Sequence, residues 1–79
     1  MTKEEIINAI VNFDIIHIED IQGYEVFDKE SAASDEAILS VCPNGVVVTF
    51  LDPYKGYAYS LTPFDDIKSI TYLTIKTIE

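Results

Sequence analysis

The sequence predicts one mostly β domain of the α+β class. An N-terminal helix is followed by a small, partly closed antiparallel barrel of five to six strands. Three observations lead there. Thr2-x-x-Glu5 and the apolar residues after it have the form of a capped helix. Past Asp14 the helical period gives way to short β-branched runs. Tight-turn signals, Pro43-Asn44-Gly45 and Asp52-Pro53-Tyr54-Lys55-Gly56, then join successive runs, which favours antiparallel neighbours. An open antiparallel sheet with the helix across one face is the alternative.

The helix is expected over residues 3–12. Ile6, Ile7, Ile10, Val11 and Phe13 recur at helical spacing, with Glu4, Asn8 and Asn12 largely opposite them. At about three turns it needs an apolar surface to dock on. Strands are expected over residues 15–19, 21–27, 37–42, 46–51, 57–61 and 68–76, with 46–51 at the centre of the sheet. Residues 28–36 are small and polar and read as a loop. Thr62-Pro63-Phe64-Asp65-Asp66 reads as one helical or 3₁₀ turn, with Thr62 as its cap and Pro63 at its first position. There is no repeat, linker or low-complexity block.

A helix ahead of about five bent strands resembles the Sm-like arrangement. The short turn before the last strand resembles SH3-like barrels. This likeness of pattern covers most of the chain and rests on no family motif. It implies a fold and carries over no functional residue.

Composition narrows the activities. The 79 residues hold 14 acidic and 5 basic side chains, for a formal net charge of −9. All the basic residues are lysines, spread along the chain, and there is no arginine for bidentate phosphate contacts. Direct binding to nucleic acid, including an Sm-like role on RNA, or to an anionic membrane is therefore not expected. No apolar run reaches the length of a membrane span. The acidic start opposes a secretory signal. One cysteine cannot make an internal disulfide and fits a reducing compartment, so the cytoplasm is the expected location. Lysine without arginine, together with abundant isoleucine, fits an AT-rich bacterial or phage genome.

No residue set calls for catalysis, a cofactor or a metal. His17 is the single histidine, alternates with Ile16 and Ile18, and reads as an ordinary strand histidine. Cys42 sits in acidic surroundings that oppose thiolate formation, and reads as structural. The pairs Glu19-Asp20, Asp35-Glu36 and Asp65-Asp66 read as solvated charge, since strand neighbours point to opposite faces. Three glycines form no nucleotide-binding loop. The chain is expected not to be an enzyme.

What remains is protein interaction. Carboxylates are dense between residues 19 and 36, so Glu19, Asp20, Glu25, Asp28, Glu30, Asp35 and Glu36 are candidates for a basic protein partner. Such a surface could also imitate nucleic acid and inhibit its binder, although acidic surfaces often serve only solubility. Tyr54, Tyr57 and Tyr59 are the second candidate set, because tyrosine is enriched at binding surfaces. Packing into the interior is nevertheless the favoured reading of the tyrosine cluster, because a small chain needs its large residues inside. The final strand carries Ile70 and Tyr72 on one face and Leu73 and Ile75 on the other, which suggests docking or self-association through strand edges.

Overall fold

Thr2 opens the first helix through the reciprocal pair its sequence calls for. Its hydroxyl accepts from the Glu5 N–H at 3.2 Å, and the Glu5 carboxylate accepts from the Thr2 N–H at 3.0 Å. That N–H bond holds the Glu5 carboxyl below its ordinary range. A computed structural model, which describes residues 1–74, places helix α1 at Lys3–Asn12. β1 (Asp14–Asp20), β2 (Glu25–Asp28), a second helix α2 (Lys29–Asp35), β3 (Ile38–Cys42), β4 (Gly45–Asp52), β5 (Gly56–Pro63), a 3₁₀ turn (Phe64–Asp66) and β6 (Ile67–Leu73) follow.

The strands form two antiparallel three-stranded sheets, ordered β2-β1-β6 and β3-β4-β5. Among the described residues no hydrogen-bonded strand pair joins them, so the sheet is not a closed barrel. The physical reason is α2. It interrupts the chain between β2 and β3, so no single continuous strand runs through both sheets. The mostly β class, the helix over residues 3–12, the 3₁₀ turn and the central position of β4 all appear as expected.

Residues 28–36 are a correction. Asp28 caps α2, its carboxylate accepting from the Ser31 N–H at 3.2 Å. Glu36 closes it in the left-handed region at φ 54°, and the Ala37 N–H donates to the Ala32 carbonyl at 2.8 Å. Seven residues are too few to hold a helix in water. Buried Ala32 anchors this one against the strands. Three smaller expectations also change. The second strand begins at Glu25, because residues 21–24 turn around Gly23 at φ 88°. Asp20 holds that turn by accepting from the Gln22 and Tyr24 N–H groups at 2.9 Å each. Thr62 stays in β5 opposite Val46, leaving Pro63 as the cap residue of the 3₁₀ turn. The last strand ends at Leu73, and Ile75 and Lys76 lie outside the described residues.

The core sits between the sheets under α1. Ile6 and Ala9 of the helix meet Ile15 and Ile18 of β1, Val46 of β4, Phe64 and Ile67. Irregular register between Ile15 and His17 lets both Ile15 and Ile18 point inward although they are three residues apart. Phe13 stacks on Tyr72, ring centroids 5.0 Å apart and planes at 8°, closing one end of the core. Gly45 is buried without a positive φ, so conformational freedom is not why glycine stands there. A Cβ at that position would lie 2.2 Å from the Thr62 carbonyl oxygen. No helix among the described residues is long and apolar enough to cross a membrane.

Candidate interaction site

The helix that replaces the expected loop also builds the most distinctive concavity. Asp28, Ser31, Ala32 and Asp35 fall at positions i, i+3, i+4 and i+7, one face of a helical segment. They line an open cleft of about 270 Å³. The opposite walls are Glu25, Val26 and Phe27 from β2, and Ala37, Val48, Phe50 and Ser60 from the second sheet and the chain leading into it. The cleft is apolar along Val26, Phe27, Ala32, Ala37, Val48 and Phe50, and every charged residue lining it is a carboxylate. A second groove, between α1 and α2, carries Asp14 and Lys29, which neutralise one another at 2.6 Å. A third concavity, between residues 20–22 and 61–63, also has only carboxylates as its charged residues, Asp20 and Asp66, but lacks the aromatic floor of the first.

Three of the seven carboxylates expected from the sequence, Glu25, Asp28 and Asp35, meet at this cleft. The other four do not line it. Asp20 is occupied by its turn, Glu19 is half-buried on β1, and Glu36 closes α2. Glu30 is exposed in the first turn of α2. Sequence spacing alone does not say which members of the dense segment converge. Convergence depends on α2, which places Asp28 and Asp35 on one face.

His17 acquires neighbours that its sequence context did not reveal. The β1–β2 register sets it opposite Asp28. Its Nδ1 lies 3.6 Å from an Asp28 oxygen and 3.8 Å from a Glu25 oxygen. The three residues can bring ligand atoms within 4.8 Å of one another, the spacing of a group able to hold a cation. Polar contact of His17 with the two carboxylates accounts for the same arrangement. The Ser31 backbone N–H is the main cause that holds the Asp28 carboxyl below its ordinary range, and hydrogen bonding to His17 adds to it.

A lowered carboxyl pKa in the folded state contributes stability that is present above the unfolded value. That contribution is lost as pH falls through the folded value. Asp28→Asn keeps a capping oxygen and removes this titration. We expect acid unfolding of the variant, followed by circular dichroism from neutral pH to about pH 3, to lose less stability below the ordinary carboxylate range than the parent chain does. Parallel acid profiles for the two proteins would remove Asp28 from the account.

The tyrosines are the second correction. Tyr54, Tyr57 and Tyr59 are 95%, 70% and 73% exposed, so the interior is not where they pack. Pairing of β4 with β5 turns Ala58 and Ser60 toward the inner side, where Ser60 lines the cleft, and Tyr57, Tyr59 and Leu61 outward. Ile38 and Leu51 are also exposed on this sheet. Tyr54 stands at the tip of the β4–β5 turn, where the Asp52 carboxylate accepts from the Tyr54 and Lys55 N–H groups at 2.8 and 3.1 Å. Leu73 at the end of β6 is exposed as well. The core is instead filled mainly by isoleucine, valine and phenylalanine.

Comparison with protein-family models, curated proteins and solved structures finds no match to this chain.

Proposed function

We propose that the protein is a non-enzymatic interaction module that receives a basic segment of a partner protein in the cleft between α2 and the sheets. The supporting observation is the pairing of an apolar floor with lining charges of one sign, Glu25, Asp28 and Asp35. An apolar side chain of the partner would displace water from Phe27, Val48 and Phe50, while flanking cations face the carboxylates. Asp28 and Asp35 are seven residues apart, about 10 Å along a helical axis. A polyproline II chain, with three residues per turn and about 3.1 Å rise, covers that distance in about three residues and returns to the same face, so a basic-x-x-basic spacing with an apolar residue between fits best. The net charge of −9 speeds encounter with such a segment.

A finer structural reading accompanies this one. We infer an SH3-like relation, supported by the β3-β4-β5 meander, the 3₁₀ turn and the return of β6 to β1. The free thiol of Cys42 accords with a reducing setting such as the cytoplasm.

The test is titration of a synthetic peptide, Lys-Leu-Ala-Lys flanked by neutral residues, followed by calorimetry. Binding is expected to weaken at least tenfold between about 50 and about 500 mM salt. The combined variant Glu25→Gln, Asp28→Asn, Asp35→Asn is expected to lose between about 3-fold and 100-fold in affinity, the range for three exposed ion pairs. The variant keeps side-chain volume and the α2 cap, so its fold survives for comparison. Equal affinity of parent and variant, or affinity indifferent to salt, would refute the cleft as the site.

A further inference from the structure

The cleft leaves one large surface unused, and its geometry names an occupant. β5 is an edge strand in the order β3-β4-β5. It pairs with β4 over eight consecutive residues with no register shift. Beyond that pairing, no backbone hydrogen bond reaches β5 among the described residues. Natural edges are usually blunted by charge, a bulge, brevity or a covering element. The other edges follow that rule. β2 has four residues, two of them acidic, and a bulge beside it, β6 carries Lys68, and β3 has five residues with α1 packed against it. β5 has eight residues and no charge, and Pro63 stands only at its end.

The order of side chains along β5 is close to symmetric about Tyr59. One step either way gives Ala58 and Ser60, both small. Two steps give Tyr57 and Leu61, both large and exposed. Three steps give Gly56 and Thr62, which continue the side of Ala58 and Ser60. An antiparallel strand paired with itself across a two-fold axis matches residues in this way, since each position meets the one equally far from the centre.

We propose that two copies of this chain associate through β5, with the two-fold axis at Tyr59 and perpendicular to the sheet. The pairing joins two three-stranded sheets into one of six. Tyr59 then lies beside Tyr59 of the second copy and Tyr57 beside Leu61, all on the exposed face. Cross-strand aromatic and aliphatic pairs of this kind stabilise sheets. Edge pairing sets Tyr57, Tyr59 and Leu61 of the two copies side by side, while Ile38 on β3 and Leu51 on β4 stay exposed. A second copy is favoured over an unrelated strand because the symmetry belongs to this chain's own sequence.

Charge sets the salt response. Two chains at −9 repel, so added salt strengthens this association, whereas it weakens capture of a basic segment. The two proposals therefore fail separately.

Sedimentation equilibrium of the whole chain, from about 1 µM to about 1 mM and at low and high salt, is expected to show a monomer–dimer equilibrium shifted toward dimer by salt. In a Cys42→Ser background, Tyr59→Cys is expected to form a disulfide-linked dimer under mild oxidation. Tyr57→Cys is not, because its two copies would stand four residues, or about 13 Å, apart, beyond the roughly 7 Å that a disulfide spans. Tyr59→Lys is expected to be monomeric and folded by circular dichroism, since Tyr59 lies at the surface. A monomer at every concentration overturns the proposal. So does a dimer that survives Tyr59→Lys, or one in which Tyr57→Cys cross-links and Tyr59→Cys does not.

Discussion

Replacing Gly45 with alanine is expected to destabilise the domain by about 3 kcal/mol or more, the upper end of overpacking effects. The added methyl would sit 2.2 Å from the Thr62 carbonyl oxygen, 2.8 Å from its carbon and 2.9 Å from the Pro63 Cα. All three are backbone atoms of the paired strand, so no side chain can rotate aside. Relief requires β4 and β5 to separate where Gly45 faces Pro63 and Val46 faces Thr62. Val46 is fully buried in the core, so the strain passes directly into the packing under α1. A domain of this length has on the order of 4–12 kcal/mol in hand, so the loss would remove between about a quarter and three quarters of it. Gly56 is the control. It has φ 83°, and a methyl added there would have nothing within 4 Å, so alanine meets only backbone strain of about 1–2 kcal/mol. Urea unfolding of both variants checks the ordering. A Gly45→Ala protein no less stable than Gly56→Ala would show that the β4–β5 approach is looser than described.

Ile18→Ala is expected to cost between about 2 and 5 kcal/mol, with Ile18→Val costing about 1 kcal/mol. Ile18 is fully buried at the centre of the β2-β1-β6 sheet, opposite Phe27 on one side and Ile70 on the other. It is also part of the cluster that receives Ile6 and Ala9 of α1. Its truncation leaves a void that both a helix and two neighbouring strands must collapse to fill, and α1 is too short to persist undocked. The helical signal in circular dichroism should therefore fall together with the strand signal on heating. Tyr59→Ala, removing a larger side chain from the surface, is expected to change monomer stability by no more than about 0.5 kcal/mol. A loss for Ile18→Ala no greater than for Tyr59→Ala would displace Ile18 from the core.

Those two residues differ in how far local spacing reaches. The burial of Ile6 and the capping of α1 follow from such spacing, because a helix face and an N-cap involve residues only three or four apart. The tyrosines of β5 follow from something else. Alternation told which residues share a face, and that grouping of Tyr57, Tyr59 and Leu61 is right. Which face turns inward was settled by the partner strand β4, whose Val46 and Val48 were the side chains buried. Small size favoured larger residues inside, yet isoleucine and valine were numerous enough to fill the interior without them.

By itself the sequence determined the mostly β class, the extent of α1, the turns at residues 43–44 and 53–55, the absence of an internal disulfide and the acidic character. These depend on short-range spacing or on counting. Tertiary structure decided that residues 29–35 are a helix, because a weak seven-residue segment forms only when Ala32 finds a surface to bury against. That docking separates the two sheets, gathers Glu25, Asp28 and Asp35 around one cleft and sets His17 beside Asp28. Register and docking join residues far apart in the chain, and their free energies come from contacts that no local window contains.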